Sequence, residues 1–228
     1  MLHDADRRRL LRRLLSFAAV TGLGLTGALQ VALAAARRPE DSGIHEMKGD
    51  VRVNRLAARP GSLVLPGDVI TTGADSHAIF VVGLDAYLLR ERSRMELAGE
   101  KSLVQRVKLT AGRLLSVLAP GLGARRFETT AAVIGVRGTG LYLEAEPTRT
   151  YACTCYGETV LSAVRAPQHR EVVRTKHHEA PRYIYADPKR VIEKAKVINH
   201  TDDELIMLEE LVGRIPPFVG EPVTSYTV

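Results

Sequence analysis

Glycine and proline divide the chain between residues 43 and 174 into short apolar runs, and this punctuation most constrains the fold. "GDVRVNR" alternates apolar and polar residues with period two, and "RPGSLVLPGDVITTG" carries two Pro-Gly turns around short apolar segments. We find no alternation of strand-like and helix-like segments that would indicate an α/β fold. The pattern therefore predicts a mainly β protein, a β-sandwich or roll of short antiparallel strands.

The last part of the chain has a different pattern. In "NHTDDELIMLEELVGRIPPF", Thr201 and Glu204 have the spacing of a capping box, and apolar residues follow at helical spacing until Gly213. We predict a C-terminal helix at about 202–212. It belongs to an extension spanning 181–228, which follows a β domain spanning 43–180.

The first 36 residues are typical of an export signal. A basic head is followed by an apolar run over residues 14–36 that ends in small residues, as in a secretory signal peptide. Arg7 and Arg8, followed by apolar residues and a further arginine, resemble a twin-arginine signal. The same run is long enough to cross a bilayer. We expect a periplasmic protein, either released by cleavage or anchored in the inner membrane by residues 14–36.

The positive charge is concentrated in this N-terminal segment. The chain has a net charge of +6, and seven arginines against two aspartates give residues 1–38 a net charge of +5. The remainder is therefore close to neutral. Nucleic-acid binding needs a basic surface, so we do not expect nucleic acid as a partner.

Several segments resemble the FecR-like domain of bacterial envelope proteins. They are "PGDVITTGADSHAIF", "TAGRLLSVL" and above all "GVRGTGLYLE", within a likeness that covers about residues 43–165. The resemblance implies a non-enzymatic, β-rich module outside the inner membrane. The best-known members signal from an outer-membrane iron-siderophore transporter to a cytoplasmic sigma factor. Here only 13 residues precede the apolar run, so we do not expect a folded anti-sigma element.

The family motif "GVRGTG" contains Gly135, Arg137, Gly138 and Thr139. Its glycines indicate a tight backbone path or a close approach of strands, which favours a structural role. Contact between Arg137 and a ligand is the alternative.

The chain has two cysteines, Cys153 and Cys155, in "YACTCYGETV". On a strand they project from the same face, and their Cα atoms lie about 6.6–6.8 Å apart, at the upper limit for a disulfide. Two thiolates on one face suit a soft or borderline metal. A metal site, a strained disulfide and two unused thiols are the alternatives.

Two adjacent histidines, His177 and His178, could complete a Cys₂His₂ set. If "YGE" is a turn, a simple meander places them two strands away from the cysteines, about 9–10 Å, which a loop shift could close. His200 is a further candidate, although a histidine at the start of a helix more often has no ligand role. The metal could be zinc, iron or copper.

These observations lead to a functional hypothesis with two alternatives. We expect a non-enzymatic extracytoplasmic sensing or binding module that carries the Cys153, Cys155, His177 and His178 metal site and binds an envelope protein or ligand. No nucleophile-base arrangement with a recognisable local signature indicates an enzyme. The first alternative is a periplasmic metal-dependent redox protein or enzyme component that uses the same site. The second is an envelope scaffold module.

Overall fold

The computed structural model describes residues 42–220, so the predicted signal or anchor lies outside the described residues. Within this range the chain forms fourteen strands and one helix, which confirms the predicted mainly β class with a C-terminal helix. The helix, α1, spans Asp202–Leu211. The strands are β1 Gly43–Lys48, β2 Val51–Val53, β3 Leu56–Ala57, β4 Val69–Thr72, β5 His77–Val82, β6 Asp85–Leu89, β7 Arg94–Glu100, β8 Leu103–Val117, β9 Arg125–Glu128, β10 Ala132–Ala145, β11 Arg149–Ala163, β12 Ala166–Thr175, β13 Arg182–Tyr185 and β14 Ile192–Lys194.

All fourteen strands belong to one hydrogen-bonded sheet, whose main path runs β14-β13-β11-β10-β9-β8-β7-β4-β2-β3. The pairings between described strands are antiparallel except for β8 with β9. Strands β8, β10 and β11 contain 15, 14 and 15 residues and are longer than the short strands that the turn pattern predicts. Each pairs with different neighbours along its length, as β8 does with β7 and then with β6 and β10. These three strands therefore join all parts of the sheet.

The central strands are buried on both faces. On β5, Phe80 belongs to the main core and its neighbour Val81 to a second apolar cluster. β10 shows the same alternation, with Leu141 in the main core and Tyr142 in the second cluster. Since side chains alternate across a strand, the two clusters lie on opposite faces of the sheet. We call the face of the second cluster the outer face.

Helix α1 covers the outer face. Leu205 and Leu208 are fully buried in the second cluster. The predicted capping box is confirmed: the Thr201 side chain accepts from the Glu204 backbone, and the Glu204 carboxylate accepts from the Thr201 backbone. Arg90 on the sheet side pairs with Glu204 at 2.7 Å. The apolar stripe of the helix thus packs against the sheet, and the capping box fixes where the helix begins.

The C-terminal extension also adds strands to the sheet. β13 pairs with β11, and β14 pairs with β13. The sheet therefore continues past residue 180, where the sequence pattern places the end of the β domain. No helix within residues 42–220 is long and apolar enough to cross a membrane.

The family motif lies at an irregularity in β10. Its register with β11 shifts between Arg137 and Gly140, and Gly138 has φ of +53°. A Cβ on Gly138 would lie 2.6 Å from Pro120, so this position requires glycine. A Cβ on Gly135 would meet only ordinary contacts, at 3.8 Å and beyond. Thr139 is fully buried and Arg137 is exposed.

An ion pair lies inside the sheet near this bulge. The side chains of Asp85 and Arg125 are each 2 % exposed and approach to 3.2 Å. The Asp85 carboxylate also accepts from the Ala119 backbone at 2.8 Å, and Arg125 donates to the Val104 carbonyl at 2.8 Å. Both buried charges are therefore paired and hydrogen-bonded, as burial requires.

Candidate metal centre

Both cysteines lie on β11 and project from its outer face. Cys153 and Cys155 are fully buried in the second cluster, together with Tyr151. This placement follows from the period-two alternation of a strand. Both thiols are free. The pair is therefore held beneath the segments that cross the outer face.

The path from the cysteines to the histidines differs from the predicted meander. The turn expected at "YGE" does not form, because β11 continues through it to Ala163. Gly157 has φ of +91°, and a Cβ there would lie 2.8 Å from Thr139, so glycine lets the strand pass close to the β10 bulge. β12 then returns directly beside β11, with Thr175 opposite Gly157. The histidines are one strand away from the cysteines, not two.

The two adjacent histidines take different places. Both follow the end of β12, where the backbone bends and His178 has φ of +51°. The backbone N–H of His178 donates to the Cys155 carbonyl at 2.9 Å, and its Nδ1 lies 3.5 Å from Cys153 Sγ. The ring of His177 stacks on Phe218, with centroids 4.4 Å apart. The structure therefore brings His178, but not His177, to the cysteines.

The fourth side chain is His200, immediately before the N-cap of α1. Its Nε2 lies 3.0 Å from His178 Nδ1, and its ring stacks on Tyr142 with centroids 4.5 Å apart. One ligand atom from each of Cys153, Cys155, His178 and His200 lies within 4.8 Å of all the others. We call these four residues the inner centre. In this set His200 takes the place that the sequence pattern assigns to His177.

The outer nitrogen of each imidazole faces an oxygen. His178 Nε2 lies 3.0 Å from Asp202 Oδ1, and His200 Nδ1 lies 2.7 Å from the Ile198 carbonyl. Metal-binding histidines are oriented by such contacts. When both rings donate their N–H groups to these oxygens, His178 Nδ1 and His200 Nε2 are left as acceptors facing each other. Two acceptors repel at this distance, so a cation or a proton has to lie between them.

The thiols and imidazoles shift one another's ionisation. A hydrogen bond with Cys155 lowers the pKa of Cys153 despite burial, and His178 and His200 act in the same direction. Burial and the neighbouring Cys153 raise the pKa of Cys155. Burial alone would lower the pKa of His178, but Cys153 and Asp202 raise it overall. These shifts make Cys153 easier to ionise than Cys155, and a bound dication would ionise both thiols.

The spacing of the donor atoms fits a tetrahedral ion. With Zn–S of about 2.3 Å and Zn–N of about 2.0 Å, a sulfur and a nitrogen ligand lie about 3.5 Å apart, and two nitrogens about 3.3 Å apart. Cys153 Sγ and His178 Nδ1 are 3.5 Å apart, and the two histidine nitrogens are 3.0 Å apart. These two distances match a four-coordinate ion, and the remaining donor pairs lie within 4.8 Å of one another.

Comparison with known proteins gives structural neighbours only. The sequence matches no known family profile and no curated protein. Two crystal structures of a candidate anti-sigma factor from Parabacteroides distasonis are similar in structure, each at 13 % sequence identity. One has a TM-score of 0.47 and covers 62 % of this chain and 64 % of its own, and the other has 0.46 and covers 56 % and 58 %. In each case the match spans less than two thirds of the neighbour's length.

Proposed function

We propose that this protein is a non-enzymatic, extracytoplasmic FecR-like binding module in which a metal ion fastens the C-terminal segment to the sheet. The observation that carries the proposal is the convergence of four ligand atoms from Cys153, Cys155, His178 and His200. They come from β11, from the bend after β12 and from the start of α1. A single ion held by them links all three segments.

The donor set favours zinc among the metals considered. Two thiolates and two imidazoles are a common tetrahedral zinc set, and zinc has no redox chemistry of its own. Copper and iron also accept these ligands, so the choice rests on the four-coordinate spacing and on burial. Three of the four residues are less than 5 % exposed, and His200 is 8 % exposed.

A closed set of this kind supports a structural and binding role. Catalytic zinc sites keep one position for water or substrate, whereas here four protein donors complete the coordination. The redox alternative requires iron or copper in the same place. That alternative predicts a spectrum that changes with oxidation state.

The N-terminal pattern supports a location outside the cytoplasm. Arg7 and Arg8 head an apolar run over residues 14–36, which is typical of a twin-arginine signal or of an inner-membrane anchor. In the periplasm the module would bind an envelope protein or ligand, as the FecR-like motif suggests. Replacing Arg7 and Arg8 by lysine should leave the protein in the cytoplasm, as measured by cell fractionation. Unchanged export of the double variant would exclude the twin-arginine route.

The metal assignment is tested on protein exported with its own signal and purified from the periplasm. We expect about one zinc ion per chain by mass spectrometry of the metals. The Cys153→Ser/Cys155→Ser variant should lose the zinc ion. The control variant His169→Ala, which removes an exposed histidine on β12, should keep it. Full metal content in the double cysteine variant would overturn the assignment. Stoichiometric iron or copper with a redox-dependent spectrum would favour the redox protein instead.

A further inference from the structure

A second group of metal-binding side chains lies beside the inner centre. One ligand atom from each of His177, His178 and Asp202 lies within 4.8 Å of the others. His177 Nε2 is 2.8 Å from Asp202 Oδ1, and His178 Nε2 is 3.0 Å from the same oxygen. We propose that this outer triad is a loading site, where a divalent cation binds before it passes to the inner centre. The proposal rests on the metal-binding function proposed above.

Exposure decreases from the outer triad to the inner centre. The Asp202 side chain is 44 % exposed, that of His177 13 % and that of His178 4 %. Cys153 and Cys155 are fully buried. A buried metal site needs a route by which the ion enters. Among the residues that the structure describes, the outer triad is the group of metal-binding side chains that lies between solvent at Asp202 and the buried cysteines.

His178 belongs to both groups because its two ring nitrogens face opposite ways. Its Nε2 lies with Asp202 in the outer triad, and its Nδ1 lies 3.5 Å from Cys153 Sγ and 3.0 Å from His200 Nε2 in the inner centre. A cation at the outer triad is therefore one imidazole away from the inner ligands.

The chemistry of the two groups sets the direction of transfer. The outer triad offers imidazole and carboxylate, which accept a hydrated divalent cation readily. The inner centre adds two thiolates, which hold a borderline cation more tightly. The ion therefore moves inward, and the thiol protons are released to the solvent as the sulfurs bind it.

His177 has no place in the inner centre, yet its position is well defined. Its ring is stacked on Phe218 at 16° between the planes, and its Nε2 faces Asp202. A purely structural network would also place it there, with Asp202 orienting the ring of His178. The two explanations differ in kinetics. A loading site makes metal uptake faster, whereas a structural network changes only folding or final affinity.

The test uses the metal-free mature protein and cobalt(II), whose thiolate charge-transfer absorption reports arrival at the inner centre. In stopped-flow mixing, the wild-type rate should level off as cobalt rises, because transfer follows a rapid binding step. His177→Phe keeps the aromatic stacking on Phe218 and removes the ligand nitrogen. This variant should reach the same final absorbance about tenfold or more slowly, the scale on which loss of a supporting group weakens a metal site. Its rate should rise linearly with cobalt.

The control is His169→Ala, an exposed histidine on β12, which should load like the wild type. Equal rates and equal saturation in the His177→Phe variant would overturn the loading site. A wild-type rate that stays linear in cobalt would overturn it as well, even if the variant failed to fold. Neither result affects the inner centre. Absence of cobalt binding by the wild type would instead overturn the proposed function.

Discussion

The sequence pattern and the structure assign the fourth ligand position to different histidines, His177 and His200. Replacing each histidine by phenylalanine distinguishes the two assignments. The structure predicts that His200→Phe removes an inner ligand, whereas His177→Phe leaves all four inner ligands in place. Phenylalanine keeps the aromatic stacking in both cases, on Tyr142 for His200 and on Phe218 for His177. A difference between the two variants therefore reports ligation and not packing.

The size of the effect follows from the number of ligands. Four-ligand structural zinc sites bind with about 10–16 kcal/mol, which averages about 2.5–4 kcal/mol for each ligand. At about 1.4 kcal/mol for each factor of ten, loss of one ligand weakens binding about 60-fold to 700-fold. We expect an effect of this size for His200→Phe. For His177→Phe we expect an effect below about tenfold, because His177 is not one of the four inner ligands and touches them only through Asp202 and the ring of His178, whose centroid is 4.8 Å away.

The assay is a competition titration of zinc against a chromophoric chelator at pH 7, with circular dichroism to check that both variants are folded. The reasoning fails if His177→Phe weakens binding more than His200→Phe. That result would mean that the ligand set predicted from the sequence, with His177, is the one that the protein uses. Equal losses of a few-fold in both variants would mean that neither histidine is a ligand.

Three further predictions concern the fold around the site. Gly138→Ala should lower the free energy of urea unfolding by about 1–3 kcal/mol because Gly138 has a left-handed backbone, whereas Gly135→Ala should change it by less than about 0.5 kcal/mol. Equal effects of the two variants would contradict a structural role for Gly138 in the motif. Asp85→Ala should cost about 3–5 kcal/mol because it leaves the Arg125 charge buried and unpaired. The double variant Asp85→Ala/Arg125→Met should lose less unfolding free energy than the sum of the losses in the two single variants. Additive losses would mean that the two side chains do not stabilise each other. Partial burial pushes the pKa of Asp202 upward, but its histidine neighbours lower it below the ordinary value of 3.8. Its carboxylate therefore stabilises the fold above that pH, and this stability is lost as the pH falls through the lowered pKa. In acid unfolding of the metal-free protein, Asp202→Asn should make the unfolding free energy less dependent on pH below 3.8. The same pH dependence in the variant and the wild type would show that Asp202 does not contribute.

Local patterns in the sequence predicted the elements of the fold. Gly and Pro spacing predicted the strand-rich class but not the length of β8, β10 and β11, and Thr201 with Glu204 predicted the start of the helix. Both signals depend on residues that are close in sequence. Period-two alternation likewise placed Cys153 and Cys155 on one face. These features needed no information about distant parts of the chain.

The predictions that were wrong, or that ranked a residue too low, depended on distant contacts. Gly157 reads locally as part of a turn, but β11 continues through it beside β10, and the absence of a side chain lets the strand pass close to Thr139. The role of His200 depends on the face that α1 covers, which is decided by the burial of Leu205 and Leu208 against the outer cluster. Its position beside the capping box made His200 a further candidate from the sequence, but local pattern alone could not rank it above His177.

The positions of the four ligands determine which part of the fold the ion stabilises. Cys153 and Cys155 lie within β11, which pairs with β10 in the sheet, and both are fully buried. His178 lies 25 residues after Cys153, and His200 another 22 residues on, both outside regular strands. An ion that binds only the folded arrangement adds about 4 kcal/mol when it is present at a thousand times its dissociation constant. In the proposed function, that free energy acts on the attachment of the segment that runs from His178 through β13 and β14 to α1, because the preceding strands already share a core of their own. In the proposed function, a bound ion therefore stabilises the attachment of this segment more than the strands that precede it.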